Sequence, residues 1–234
     1  MTMPDCPTST LQQRLATVLA RIRAAEIRFG REPGSVRLLA VSKTRPAADI
    51  AELAASDCHA FGENYLQEAL EKIQALAQLD LEWHFIGPIQ SNKTQPIASY
   101  FQWVHSVERE KIARRLSEQR PDTLPDLNIC LQVNISGEDS KSGVSLTALP
   151  GLAEVVASLP RLRLRGLMAI PAPETDFVRQ RAAFRPLREA RDALVAQGLA
   201  LDTLSMGMSG DLEAAIAEGA TLVRVGSDIF GPRA

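Results

Sequence analysis

Leu38-Leu39-Ala40-Val41-Ser42-Lys43 is the stretch on which the fold turns. A continuous apolar run without polar alternation suits a parallel strand covered on both faces. Seven comparable stretches follow it: His59-Ala60-Phe61-Gly62, Trp83-His84-Phe85-Ile86-Gly87, Trp103-Val104-His105-Ser106, Ile129-Cys130-Leu131-Gln132-Val133, Leu164-Arg165-Gly166-Leu167-Met168-Ala169-Ile170, Leu204-Ser205-Met206-Gly207-Met208 and Leu222-Val223-Arg224-Val225-Gly226. Ala- and Leu-rich segments with helical spacing lie between them, as at 47–55, 66–79, 108–118 and 177–197. A further amphipathic segment precedes the first strand. Thr8-Ser9-Thr10 opens it, Leu11, Leu15, Val18, Leu19 and Ile22 share a face, and Gly30 stops it.

Strand and helix alternating eight times imply a parallel sheet. The expected fold is α/β: a single-domain (β/α)8 TIM barrel with an extra N-terminal helix, spanning 1–234 with the barrel at about 36–231. A doubly wound open sheet is the alternative. It usually carries G-x-G-x-x-G after its first strand, and none is present.

Composition narrows the function. The chain has 234 residues, 26 Lys+Arg against 28 Asp+Glu, and a formal charge of −2. A dedicated nucleic-acid binder usually carries a strong basic excess. No apolar run approaches the roughly 20 residues that span a bilayer. The N-terminus lacks the basic and apolar regions of a signal peptide. Cys6, Cys58 and Cys130 are odd in number and widely spaced. Together these predict a cytoplasmic protein without nucleic-acid or membrane partners.

Chemistry in a barrel belongs at the C-terminal ends of the strands. Lys43 ends the first strand and, by period-two alternation, shares a face with Val41 and Leu39, inside the barrel. A lysine there is either a solvated strand-end residue or a reactive amine whose pKa is lowered by burial. The turns Ser205-Met206-Gly207-Met208-Ser209-Gly210-Asp211 and Gly226-Ser227-Asp228 follow adjacent strands and can cradle an anion, although Ser209 or Asp211 alone reads as an ordinary helix cap. Arg224 interrupts an apolar strand and, being permanently charged, needs an acceptor. That acceptor is either a structural salt-bridge partner or a ligand's ring nitrogen. An anchoring lysine, an anion cup and a ring-facing arginine together describe a pyridoxal phosphate site.

Six motifs, in order, carry a family resemblance: Ala40-Val41-Ser42-Lys43-Thr44, Phe61-Gly62-Glu63-Asn64-Tyr65, His84-Phe85-Ile86-Gly87, Gln90-Ser91-Asn92-Lys93, Ser205-Met206-Gly207-Met208-Ser209 with Asp211, and Val223-Arg224-Val225-Gly226-Ser227 with Ile229-Phe230-Gly231. From about Leu11 to Gly231 the chain resembles the pyridoxal-phosphate homeostasis protein family, whose barrel is similar to the N-terminal domain of alanine racemase. The resemblance implies pyridoxal 5'-phosphate (PLP) as cofactor, Lys43 as its Schiff-base lysine and Arg224 as the arginine facing the pyridine. It places the phosphate ligands on Ser209, Gly226 and Ser227, and an asparagine near the cofactor at Asn64. It implies a carrier or buffer in intracellular PLP homeostasis without a dedicated catalytic activity, serving PLP-dependent apo-enzymes as a monomer or weak dimer. Asp228 departs from the family's small apolar residue. A carboxylate beside a phosphate is repelled, so Asp228 should point away or cap backbone.

Two other functions compete. A PLP-dependent amino-acid racemase needs an acid/base group on each face of the substrate carbanion. Lys43 supplies one, and a racemase's second, β-rich domain, which brings the other, is not expected. A barrel for another phosphorylated metabolite keeps the cup but gives Lys43 no special role. His59, His84 and His105 match no metal-ligand spacing. Arg161, Arg163 and Arg165 read as a solvated basic edge at the barrel bottom, Trp83 and Trp103 as packing residues, and Cys58 as unreactive. Lys141, in the loop after the fifth strand at the barrel's active end, reads as a solvated lysine, with contact to the ligand as the alternative.

Overall fold

The computed structural model describes residues 9–136 and 142–232. Strands β1 (Arg37–Val41), β2 (Ala60–Glu63), β3 (Glu82–Phe85), β4 (Trp103–Val107), β5 (Leu127–Asn134), β7 (Leu162–Met168), β8 (Thr203–Ser205) and β9 (Leu222–Val225) form one closed parallel sheet. The ring is closed at β1–β9, where Leu39 pairs with Arg224, and at β4–β5, where Val104 pairs with Ile129. These are the eight stretches read from the sequence. The short β6 (Val144–Ser145) lies outside the ring, parallel to the projecting end of β5.

Helices α2 (Ala47–Ala54), α3 (Leu66–Ala75), α4 (Thr94–Tyr100), α5 (Glu110–Gln119), α6 (Leu149–Ser158), α7 (Phe177–Ala196), α8 (Leu212–Ala217) and α9 (Ser227–Phe230) follow the strands. The motif Gln90-Ser91-Asn92-Lys93 forms a turn of 3-10 helix at its last three residues, leading into α4. The leading helix is α1 (Leu11–Arg28). Its cap is Thr10, whose hydroxyl accepts from Gln13 N at 3.2 Å while the Gln13 side chain accepts from Thr10 N at 3.0 Å. Gly30 leaves it at φ +64°. Through Leu15, Val18 and Ile22 it packs on the flank of the barrel beside α8 and α9.

Most of the apolar core lies between strands and helices, where Phe61, Phe85, Ile97, Leu116 and Phe184 are fully or almost fully buried. The lumen is different. Its apolar content includes a separate small cluster of Trp103, Cys130 and Met168, and it also holds His84, His105, Ser205 and Arg224, none more than 3% exposed. His105 on β4 meets Ser205 on β8 at 2.8 Å. Two barrel strands, β5 and β7, separate those elements, so the contact crosses the interior.

Gly166 allows the ring to close at β7–β8. The β5–β7 register shifts there, Ile129 pairing with Leu164 and Cys130 with Gly166, which leaves Arg165 as the extra residue of a bulge. A Cβ on Gly166 would lie 1.7 Å from the Thr203 carbonyl oxygen. Gly166→Ala is therefore expected to reduce stability by more than about 3 kcal/mol in urea unfolding. A loss under about 1 kcal/mol would mean the two strands part easily.

Candidate functional site

All six residues singled out from the sequence line one pocket at the C-terminal mouth of the barrel: Lys43, Asn64, Ser209, Arg224, Gly226 and Ser227. The pocket spans about 950 Å³ including its open mouth. Alternation explains the placement. Val41 and Lys43 both reach it from β1 and its extension, and Arg224 and Gly226 both reach it from β9. Ile86, Ile170, Met208 and Phe230 supply apolar walls.

The segment carrying Lys43 is clamped on both sides. Ser42 N donates to Gly62 O at 3.0 Å, extending the strand pairing by one residue. The Ser42 hydroxyl donates to Glu63 Oε1 at 2.6 Å. Lys72 Nζ, on α3, donates to Ser42 O at 2.8 Å, Glu63 Oε1 at 2.7 Å and Glu68 Oε1 at 2.5 Å. Glu68 Oε1 also accepts from Thr44 N at 2.6 Å. Thr44 stands at φ +63°, a left-handed conformation costly for a β-branched residue, roughly 1–3 kcal/mol. The Glu68 bond and the Ser42–Lys72 bond offset that strain and fix the direction in which the chain leaves Lys43. Glu63 is fully buried. Burial pushes its carboxyl up, while the hydrogen bonds from Lys72 and Ser42 oppose the rise.

Across the mouth, the Ser227 hydroxyl donates to Ser209 Oγ at 3.1 Å. Gly207, at φ +94°, turns the loop after β8, and a Cβ there would come 2.5 Å from Ala215 Cβ. Asp211 receives Met208 N at 2.6 Å, and burial raises its carboxyl. Gln180 of α7 steadies the same loop by donating to Gly210 O at 3.0 Å. Asp228 turns outward and pairs with Arg21 of α1. Arg21 also donates to Ser209 O at 3.1 Å and holds Glu213 with Nε and Nη2. The Asp228 carboxylate thus serves the outer buttress of the cup instead of its inside, the first of the two placements expected from charge repulsion.

Arg224 is 3% exposed. Its Nη1 donates to Ser205 O at 2.6 Å and Ser205 Oγ at 2.9 Å, and its Nη2 to Ala169 O at 3.0 Å. Among the described residues no carboxylate pairs with it. Burial pulls the guanidinium down to about 10, so it remains a cation at neutral pH. Asn64 presents a second unmet need, since its buried Oδ1 accepts no hydrogen bond.

The family described as alanine racemase, N-terminal domain, matches residues 14–234. The pyridoxal phosphate homeostasis protein of Pseudomonas aeruginosa is 63% identical over 225 residues, covering 96% of each chain. The chain belongs to the pyridoxal phosphate homeostasis protein family. Its relative of that name from Escherichia coli K12 is 53% identical over 95% of this chain and 97% of that one. The structure of PipY from Synechococcus elongatus PCC7942 with PLP bound superposes with a TM-score of 0.84, at 36% identity over 95% of this chain and all of that one.

In this member of the pyridoxal phosphate homeostasis family, several residues at the site escaped the sequence reading. Arg45 lines the pocket and donates from Nη2 to Gly231 O at 2.6 Å and Pro232 O at 2.8 Å. Arg21 and the Lys72–Glu63–Glu68 cluster were also missed. The available signals were a carboxylate inside an apolar strand, at Phe61-Gly62-Glu63, and the helical i,i+4 pair Glu68 and Lys72. Trp103 does more than pack. It stacks on His84 at 5.4 Å and donates from Nε1 to Glu82 Oε2 at 3.2 Å. Arg165 is ion-paired with Asp202 at 2.7 Å and Arg161 with Asp122 at 2.9 Å. Burial pushes the Cys58 thiol up to about 11 and Cys130 to about 12. Among the described residues no group of three or more His, Cys, Asp or Glu could hold a metal ion, and no helix is long and apolar enough to cross a membrane. Lys141 lies outside the described residues.

Proposed function

We propose that this chain binds pyridoxal 5'-phosphate in the barrel-mouth pocket and serves intracellular PLP homeostasis as a carrier or buffer. One observation carries the reading: Arg224, a buried guanidinium with only neutral protein acceptors, opens onto the same pocket as Lys43 and the paired serines. The residues present fit the group. Asn64 Oδ1 is a buried acceptor without a donor. A Cβ on Gly226 would press on Val41 at 3.3–3.4 Å while occupying the pocket wall. The names of the curated relatives and the PLP-bound PipY structure support the same ligand.

When bound, the cofactor supplies an electrophilic aldehyde and a conjugated ring. Lys43 Nζ is the nucleophile assigned to that aldehyde, held at a fixed exit angle by the clamps on Ser42 and Thr44. Ser209 and Ser227 offer hydroxyls, and Gly226 backbone without a side chain, to a phosphate. Arg224 can only donate, so beside a ring nitrogen it would keep that atom unprotonated and the ring would be a weaker electron sink than with a carboxylate partner. The lining of the pocket contains, among the described residues, no histidine, tyrosine, cysteine, aspartate or glutamate. A racemase needs such a group opposite the lysine. Binding and release to apo-enzymes therefore fit the site better than turnover.

The anchoring step is tested by incubating the protein with PLP, reducing with borohydride and mapping the pyridoxyl group by mass spectrometry. It should fall on Lys43, and a label confined to other lysines removes the assignment. The cup is tested with Ser209→Ala combined with Ser227→Ala. Losing charge-assisted hydrogen bonds of roughly 1.5–3 kcal/mol each should weaken PLP by at least about tenfold and phosphate-free pyridoxal far less. Equal losses for both ligands would move the phosphate elsewhere. The carrier reading predicts that alanine incubated with loaded protein in deuterated water exchanges its α-proton only slowly. Exchange at rates typical of enzymes, about 1 per second or faster, would establish catalysis.

A further inference from the structure

Two buried histidines, His84 and His105, have no role in the reading above, yet they connect to it. Arg224 Nη1 donates to Ser205 Oγ at 2.9 Å. Ser205 Oγ lies 2.8 Å from His105 Nδ1, His105 Nε2 lies 2.9 Å from His84 Nδ1, and His84 Nε2 lies 2.8 Å from Glu82 Oε1. Glu82 opens β3 at the N-terminal rim, the opposite end of the barrel from the pocket. There it receives Arg37 Nη2 at 2.5 Å and Trp103 Nε1 at 3.2 Å.

We propose that Ser205, His105, His84 and Glu82 form a one-way hydrogen-bond relay that orients Arg224 toward the ligand and links its charge to a carboxylate on the far face of the barrel. The proposal rests on the reading of the pocket as a PLP site. Direction follows from the two ends. A guanidinium only donates and an ionised carboxylate only accepts. Counted back from Glu82 through two neutral rings, Ser205 Oγ–H donates to His105 Nδ1 while its oxygen accepts from Arg224. His105 Nε2–H donates to His84 Nδ1, and His84 Nε2–H donates to Glu82. Both rings are neutral and carry their proton on Nε2.

The surroundings favour that state. Burial lowers His84, against the opposing pull of Glu82. Burial lowers His105 strongly, and His84, Arg224 and Arg37 add to it. Glu82 loses hydration, but the His84 hydrogen bond and the Arg37 charge outweigh this and push it down to about 2. Cys130, with its thiol pushed up to about 12, contributes a neutral wall. Arg165 stacks over Trp103 at 4.8 Å and is neutralised by Asp202. Glu82 thus becomes a positioning residue for a pocket it does not touch.

The test begins on the full chain without cofactor, 15N-labelled, by two-bond proton–nitrogen correlations of the imidazoles at pH 7. Both His84 and His105 should be neutral Nε2–H tautomers. A protonated ring or an Nδ1–H tautomer at either position overturns the relay. In Glu82→Gln the amide can donate as well as accept, so the tautomers should mix. PLP should bind about threefold to tenfold more weakly, with a shifted absorption band. Ser205→Ala, next to Arg224, should shift the band in a second variant. Unchanged tautomers, affinity and band in both folded variants would reduce the chain to packing and overturn the proposal. If wild-type protein shows the expected tautomers but binds no PLP, the pocket reading fails and the relay stands.

Discussion

A guanidinium inside a barrel cannot shed its charge, and burying it without a partner costs several kcal/mol. Arg224 imposes that constraint here. Its Nη1 and Nη2 donate to the carbonyl oxygens of Ala169 and Ser205 and to the Ser205 hydroxyl, three bonds that leave further N–H groups for the pocket. Those acceptors come from the ends of two other strands, so β7, β8 and β9 must keep their register for the charge to be tolerated. The β7 bulge at Arg165 and the bare backbone of Gly166 make that register possible. The polar lumen follows from the same need, because an entirely apolar filling would leave the cation with less compensation.

Around this fixed point two separate buttresses shape the mouth. Lys72, with Glu63 and Glu68, grips the residues on either side of Lys43. Arg21, with Asp228 and Glu213, grips the two loops that present Ser209 and Ser227. In the first, Lys72 and Glu63 are buried and Glu68 is only partly covered, so losing Lys72 or Glu63 would strand a buried charge. The second is about one-third exposed and screened by solvent, so each of its ion pairs counts for less. Rigidity is therefore concentrated beside Lys43 and relaxed beside Ser209 and Ser227.

Much of this was legible in the chain. The eight strands stood out because a parallel strand covered on both faces leaves a continuous apolar run, and a polar residue that ends or interrupts such a run is conspicuous. Lys43 and Arg224 were found that way. Turn chemistry marked the two turns after β8 and β9, and the family resemblance picked out Ser209, Gly226 and Ser227 within them and added Asn64. What stayed hidden depends on closure of the ring. Arg21 and Asp228 lie 207 positions apart, and nothing local in either predicts the other. His84 and His105 were set aside because they match no metal spacing, although their partners, Ser205 and Glu82, lie across the lumen and on the rim. Lys72 looked like an ordinary helical lysine, and only the turn of α3 onto β2 shows it to be buried.

The seam between β1 and β9 has a temporal meaning as well. Arg37 pairs with Leu222 and Leu39 with Arg224, joining residues from opposite ends of the described chain. Joining residues so distant in sequence carries a large loop-closure entropy, and folds rich in such contacts fold more slowly. The mouth is lined from β1 and its extension, from β9 and from the ends of β2, β3, β7 and β8, so it is complete only when the ring is closed. A ligand that binds only the closed ring would hold the seam shut by mass action, and its abundance would then help to set the stability of the folded chain.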